Sequence, residues 1–255
     1  MRLRIRYGEV IAELIEPIST PSKNHCIIVL PGLPNQPRNE EFAENLANEG
    51  FYVLQPRYIG SWESYGSFSI ENCLKTLKES IKMIKKGEAL ELFNNKKINF
   101  LCNKISIISS SFGSAIALSF PEADNYVCLC PLLDLEQHSK DKSKKEQDLG
   151  YLTGFLKRGW ENAFRGFNEQ DWESFTKGNS KVNPYSFIDK FKGKNILLIH
   201  GTKDEVVHYS RTTKFAEKVE AENNVSLKIV EGAGHGSALA KIVSLDVIDF
   251  LKNCN

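Results

Sequence analysis

The chain has 255 residues, of which 41% are hydrophobic and 25% are charged. This is ordinary globular composition, and it excludes a disordered or fibrous chain. The 33 Lys and Arg side chains against 32 Asp and Glu give a net charge of +1. Because nucleic acids and anionic membranes select proteins with a basic excess, this balance argues against both partners. The length fits one α/β domain, which we expect to cover residues 1–255.

The N-terminus is basic but lacks the apolar stretch of a signal peptide, and no apolar run is long enough to cross a bilayer. The six cysteines lie mostly in apolar segments and show no disulfide framework, at positions 26, 73, 102, 128, 130 and 254. We therefore expect reduced thiols in a cytoplasmic protein.

Periodicity predicts the elements in chain order. Residues 1–17 alternate apolar and polar around Tyr7-Gly8-Glu9, which predicts an antiparallel hairpin. Apolar runs then predict buried strands at 25–30, 52–55, 105–108, 126–129, 196–199 and 225–230. Helical spacing fills the gaps at 40–48, 70–84, 112–120, 209–222 and 238–251.

This alternation predicts a mainly parallel, doubly wound sheet with helices on both faces, preceded by the hairpin. Such sheets carry their sites along the edge at which the strands end. The stretch at about 134–190 has no buried strand and contains a charged run at 140–148. Aromatic residues at helical spacing follow, namely Phe155, Trp160, Phe164, Phe167, Trp172 and Phe175. We expect a small helical cap inserted over that edge, with the charged run as a solvated face.

The segment from Ile105 to Leu118 has a strand, a turn of the form small-x-Ser-x-Gly, and a helix rich in Ala and Leu. Such a turn lifts the hydroxyl of its central residue, here Ser111, above the sheet edge, and requires small neighbours such as Ser109 and Gly113. The backbone N–H of Phe112 follows the nucleophile and is a candidate oxyanion donor. The alternative is a serine-rich turn in which Ser110 or Ser111 only caps the helix.

Two later segments resemble those of the α/β-hydrolase superfamily. The run from His200 to Val207 looks like the family's segment that bears the catalytic acid, here Asp204, and Gly232 to Gly236 looks like its histidine loop, here His235. The order Ser, Asp, His is also the family's order. The resemblance implies the α/β-hydrolase fold, a triad of Ser111, His235 and Asp204, and a second oxyanion donor at the backbone N–H of Leu33.

Other residues compete for these roles. Asp134 follows a predicted strand and is a rival acid, whereas His200 fits a packed structural histidine. His25, His138 and His208 have no motif context, which predicts surface or edge positions. Cys128 and Cys130 share one face of a strand and fit a core position, since no partner pair stands at zinc spacing. The run from Arg57 to Gly66 follows a strand end, so we expect it near the site; it faintly resembles the prolyl-oligopeptidase-like and dienelactone-hydrolase-like branches.

The resemblance and the triad imply a serine hydrolase that cleaves a carboxylic ester through an acyl-enzyme, with no cofactor and no metal. The alternative is a small peptidase or amidase of the prolyl-oligopeptidase-like branch, and a non-catalytic binding protein is a third reading. The expected partner is a small-molecule ester or a short peptide; the sequence leaves the oligomeric state open. Activity is expected to rise with pH near pH 6–7, as the histidine loses its proton.

Overall fold

The structure is a computed structural model that describes residues 1–18, 24–34, 36, 41–140, 146, 149–159, 161–220 and 224–254. The strands of this part of the chain belong to one sheet. They are β1 (Arg2–Tyr7), β2 (Val10–Ile15), β3 (His25–Leu30), β4 (Tyr52–Pro56), β5 (Glu88–Glu91), β6 (Lys96–Asn99), β7 (Lys104–Ser110), β8 (Asn125–Leu129), β9 (Asn195–Gly201) and β10 (Asn224–Val230).

Helices connect most of these strands. They are α1 (Glu41–Asn48), α2 (Ile70–Lys86), α3 (Phe112–Ala117), α4 (Leu135–Lys140), α5 (Leu149–Gly159), α6 (Glu169–Thr176), α7 (Ser210–Glu220), α8 (Ser237–Ile242), α9 (Ser244–Asn253) and a 3-10 helix at Pro184–Phe191. None of the helices in the described ranges is long and apolar enough to cross a membrane.

The strand order is β10-β9-β8-β7-β3-β4-β2-β1-β5-β6. Neighbouring strands from β10 to β4 are parallel. Beyond β4 the pairs are antiparallel. Because β7, β8 and β9 are adjacent and parallel, the segments that follow them emerge at the same edge of the sheet.

Two apolar clusters cover the two faces of the sheet. One contains buried residues of α2, α3, α6 and α7, such as Leu77 and Phe215. The other contains buried residues of α1, α8 and α9, such as Leu46 and Leu251. Helices thus pack on both faces, and the predicted mainly parallel, doubly wound sheet with an N-terminal antiparallel hairpin is confirmed.

Three details differ from the sequence-based expectation. The β5–β6 hairpin was not predicted, because β6 is mostly exposed and carries lysines instead of alternating apolar residues. The predicted helix at 238–251 is two helices, since the backbone of Val243 (φ −101°, ψ 11°) interrupts it. The helix predicted at 112–120 ends at Ala117.

The stretch predicted as a cap holds α4, α5, α6 and the 3-10 helix, between β8 and β9. Its aromatic side chains pack mostly on one another and on the body of the protein. Trp172 and Phe175 are buried against the ring of Phe112, with centroids 6.1 and 5.4 Å away. Trp160 lies outside the described residues, so its predicted place in this cluster stays a prediction.

Candidate active site

Ser111 occupies the turn between β7 and α3 with backbone angles φ 51° and ψ −119°. Non-glycine residues rarely adopt a positive φ, and where they do the surrounding structure must hold them. The N–H of Ser111 donates to the carbonyl of Leu129 at 3.0 Å, and its own carbonyl accepts from Leu132 at 3.1 Å. The end of β8 and the segment after it therefore fix both peptide groups of the serine.

Two glycines allow this turn to approach the end of β3. A Cβ at Gly113 would lie 2.5 Å from the carbonyl oxygens of both Leu30 and Pro31. A Cβ at Gly32 would lie 3.2 Å from the Cβ of Ser111. The small-x-Ser-x-Gly pattern thus has a steric cause, and the loop after β3 lies directly against the serine.

The three consecutive serines have different surroundings. Ser109 is buried, and its hydroxyl lies 3.1 Å from that of Ser114. Ser110 Oγ lies 3.7 Å from the Sγ of Cys130. Ser111 precedes α3 but makes no side-chain capping hydrogen bond, and within the described ranges its hydroxyl has no hydrogen-bond partner. The geometry does not support the alternative in which Ser111 serves as a helix cap.

Asp204 and His235 meet at the same sheet edge. Nδ1 of His235 lies 2.7 Å from Oδ2 of Asp204, whose side chain is fully buried. The other carboxylate oxygen, Oδ1, accepts the backbone N–H groups of Val206 and Val207 at 2.8 and 2.9 Å. The rival acid Asp134 instead accepts the N–H of Gln137 at 3.1 Å, at the beginning of α4.

Backbone contacts tie the acid loop to the histidine loop. Lys203 N–H donates to the carbonyl of Ala233 at 2.9 Å, and the hydroxyl of Thr202 accepts the N–H of Gly232, also at 2.9 Å. A Cβ at Gly201 would lie 2.2 Å from the Ala233 carbonyl oxygen, so the two loops pack without space for a side chain there.

The protonation of this pair is strongly perturbed. Burial alone would raise the pKa of Asp204, but hydrogen bonds from His200 and His235 outweigh it and hold that pKa well below its usual range. Burial alone would lower the pKa of His235, yet its hydrogen bonds to Asp204 and Cys130 raise that pKa to about 10. The rise in activity expected near pH 6–7 therefore moves to higher pH.

Cys130 is the neighbour of His235 that the sequence analysis missed. Its side chain is buried, as a core position requires, but its Sγ lies 4.0 Å from Nε2 of His235. The thiol also accepts the backbone N–H of Gly236 at 3.4 Å. The positive φ of Cys130 (41°) turns the chain after β8, and no pattern in the sequence indicates it.

No hydrogen bond joins Ser111 to His235 in the structure. Catalytic hydrogen bonds are often long before substrate binds.

The loop that holds the predicted oxyanion donor Leu33 is anchored from the run at 57–66. The hydroxyl of Tyr58 donates to the carbonyl of Pro31 at 2.7 Å, and Nε1 of Trp62 donates to the carbonyl of Pro34 at 2.9 Å. The run therefore lies beside the site, as its position after β4 predicts. In the part of the chain that the structure describes, neither the N–H of Leu33 nor that of Phe112 donates to another residue, so both have the capacity to bind an anion.

One group among the described residues has the spacing of a metal site. Cys130, Asp204 and His235 each offer a ligand atom, and these atoms lie within 4.8 Å of one another. Nδ1 of His235 is already paired with Asp204, which leaves only Nε2 facing Cys130. This arrangement fits a hydrogen-bonded acid–base pair better than a set of metal ligands.

Two predictions about isolated polar residues are wrong. His25 and His138 are buried, not at the surface; His25, for example, lies 2.7 Å from the hydroxyl of Ser106, a contact that sequence spacing does not reveal. The charged run at 140–148 is not wholly a solvated face, because Oε1 of Glu146 accepts from Nε of Arg211 at 2.7 Å and both side chains are buried. Residues 141–145 lie outside the described residues.

Comparison with known proteins agrees with this fold. Residues 157–255 match the sequence profile of the prolyl oligopeptidase family, which is less than half of the chain. No curated protein sequence matches the chain. An esterase of Thermogutta terrifontis with propionate bound is 18% identical, with a TM-score of 0.65 over 98% of this chain and 94% of that one.

Two further solved structures are similar. An esterase of Pyrococcus furiosus is 20% identical, with a TM-score of 0.64 over 99% of this chain and 91% of its own. Est1E from Butyrivibrio proteoclasticus is 17% identical, with a TM-score of 0.68 over 99% and 98%. The chain has the α/β-hydrolase fold. Residues 157–255, which are similar to the prolyl oligopeptidase family, contain both Asp204 and His235.

Proposed function

We propose that the protein cleaves carboxylic esters with a triad of Ser111, His235 and Asp204. The observation that carries this proposal is the 2.7 Å hydrogen bond between His235 and the buried Asp204. It lies at the sheet edge where Ser111 occupies a strained turn with its hydroxyl unbonded to any described residue. A packed structural histidine would not require a strained serine beside it.

The reaction follows from the positions of these groups. Ser111 Oγ attacks the ester carbonyl carbon while its proton passes to Nε2 of His235. Asp204 holds the proton on Nδ1 and stabilises the imidazolium that forms. Collapse of the tetrahedral intermediate breaks the bond to the alcohol, which leaves with the proton from Nε2. Water then repeats these steps on the acyl-enzyme and releases the acid and free Ser111.

The tetrahedral intermediate carries negative charge on the former carbonyl oxygen. The backbone N–H groups of Phe112 and Leu33 are the proposed donors to it. Their loops meet at Gly32, which lies against Ser111. The loss of one such donor typically costs about 3 kcal/mol of barrier.

Two comparisons favour different substrate classes. The structural neighbours named as esterases favour a small uncharged ester. The prolyl oligopeptidase match at residues 157–255 favours the second candidate, a short peptide or amide. The insertion between β8 and β9 is proposed as a cap over the site, within a single domain. The six free cysteines fit the predicted cytoplasmic location, where thiols stay reduced.

Parallel assays of p-nitrophenyl acyl esters and aminoacyl p-nitroanilides test this function. The wild-type protein is expected to hydrolyse the esters, and Ser111→Ala to lose more than about 10³-fold in kcat. Ser110→Ala is the matched control and is expected to keep its activity. Faster turnover of the anilides would select the peptidase, and no turnover of either substrate would favour the binding protein.

A further inference from the structure

A buried histidine that the proposed triad does not include contacts the carboxylate of Asp204. His200 lies near the end of β9, with its side chain fully buried. Its Nε2 lies 3.0 Å from Oδ2 of Asp204 and 2.9 Å from the carbonyl oxygen of Val207. Its Nδ1 lies 2.7 Å from the hydroxyl of Thr212 on α7.

These partners determine the tautomer of His200. A carboxylate and a carbonyl oxygen can only accept, so Nε2 must carry the proton that faces both of them. Nδ1 is then unprotonated and accepts the hydroxyl proton of Thr212. This hydrogen-bonding pattern satisfies both ring nitrogens and all three partner atoms.

His200 contacts the same carboxylate oxygen of Asp204 that His235 contacts. Oδ2 receives both His200 and His235, whereas Oδ1 receives only backbone N–H groups. Two donors on Oδ2 fix the rotation of the carboxylate about its last bond. Without His200, a buried carboxylate oxygen loses one of its two partners, and only His235 and the backbone N–H groups on Oδ1 are left to orient the carboxylate.

We infer that His200 is a positioning residue: with Thr212 it fixes the carboxylate of Asp204 so that His235 is held as the base for Ser111. This inference rests on the proposed triad. His200 does not touch the substrate, so its loss is expected to lower kcat with little change in KM. Misplacement of catalytic groups by about 1 Å costs up to roughly 100-fold, and a fall of about 10- to 100-fold is expected.

The test compares His200→Leu, His200→Gln and Thr212→Val in the full chain. His200→Leu removes the donor and is expected to show the full loss in kcat. His200→Gln carries an amide N–H near the position of Nε2 and is expected to recover most of it. Thr212→Val removes the hydroxyl that donates to Nδ1 of His200 and is expected to lie between the two.

His25→Leu is the matched control, because it also removes a buried histidine that contacts a side-chain hydroxyl, here that of Ser106, but does not reach the proposed site. Both leucine variants are expected to lower the thermal unfolding midpoint, whereas only His200→Leu lowers kcat. A second readout is the downfield proton NMR signal of the His235 Nδ1–H, recorded in a Ser111→Ala background. It is expected to shift or broaden in His200→Leu and to return in His200→Gln.

One outcome contradicts the inference about His200, and another contradicts the triad. If wild type is active and requires Ser111, but His200→Leu retains its kcat and NMR signal while folded, the inference about His200 is wrong and the triad stands. If Ser111→Ala retains the wild-type activity, the triad itself is wrong, whatever the His200 variants do. If His200→Leu does not fold, Thr212→Val is compared with wild type instead. An unchanged kcat and NMR signal in Thr212→Val would contradict the inference about His200.

Discussion

At the scale of single residues, the chemistry depends on what surrounds the two nitrogens of His235. Nδ1 is paired with a carboxylate that has donors on both oxygens, so that carboxylate stays ionised. Nε2 faces the thiol of Cys130 at 4.0 Å and is the proposed acceptor of the Ser111 proton. A neutral imidazole is needed for that step, so every influence that favours the charged ring lowers the active fraction at neutral pH.

The pH dependence of the wild-type protein follows from this. Protonated His235 cannot act as a base, and its pKa is raised to about 10. We expect kcat/KM for a p-nitrophenyl ester to keep rising above pH 7 instead of levelling off near it. Initial rates between pH 5 and pH 10, corrected for spontaneous hydrolysis, measure this. A plateau that begins at pH 6–7 would show that the raised pKa is wrong.

Cys130 contributes to that shift, because its hydrogen bond to His235 favours the protonated ring. Cys130→Ala removes this contact, so the pKa of His235 falls and the rise in kcat/KM is expected at lower pH than in wild type. Cys254→Ser is the control, since that thiol lies at the end of α9 and is not in contact with His235. Superimposable profiles for wild type and Cys130→Ala would rule out this role of the thiol.

At the scale of elements, the site depends on close packing between the segments that follow β3 and β7. Gly113 is the second small residue of the turn motif, and the carbonyls of Leu30 and Pro31 occupy the space where a side chain would go. The sequence predicts a small residue here but not the atoms that require it. Those atoms come from a strand about 80 residues earlier in the chain, and only the sheet order places them there.

Gly113→Ala is expected to destabilise the protein by about 1–3 kcal/mol, because the new methyl group overlaps two backbone oxygens. It should also lower kcat by moving the turn that holds Ser111. Gly154→Ala is the control: it lies within α5, where the nearest atom is the flexible end of Arg158 at 3.4 Å. That variant is expected to be as stable as wild type or up to about 1 kcal/mol more stable. Chemical denaturation of both variants measures the difference, and equal stabilities would contradict the packing argument.

The anchor of the loop at Leu33 gives a second prediction at this scale. Tyr58→Phe removes the hydroxyl that donates to Pro31, at a cost of about 1 kcal/mol in stability. Because that loop carries a proposed oxyanion donor, kcat is expected to fall as well, by roughly 10-fold. Tyr126→Phe also removes a tyrosine hydroxyl, one that donates to Phe120 away from the site. It is expected to cost similar stability at unchanged kcat; the same kcat in both variants would contradict the role of the anchor.

At the scale of the whole molecule, the predictable features are those with local patterns. The hairpin, the buried strands and the turn at Ser111 each have a short-range signature, and Asp204 with His235 was found by resemblance. The β5–β6 hairpin has too few buried residues to show a period. Cys130, His25 and Tyr58 act through contacts between segments that are distant in sequence, so no spacing in the chain predicts them.

Covalent labelling is the most direct test of Ser111 as the proposed nucleophile. The folded protein is treated with a fluorophosphonate probe, and the modified peptide is identified by mass spectrometry, alongside Ser111→Ala and Ser110→Ala. A serine activated by His235 displaces fluoride and becomes phosphonylated. We therefore expect label on Ser111 in wild type and in Ser110→Ala, and no label in Ser111→Ala. Folded wild-type protein that stays unlabelled, or that carries the label on another residue, would contradict it.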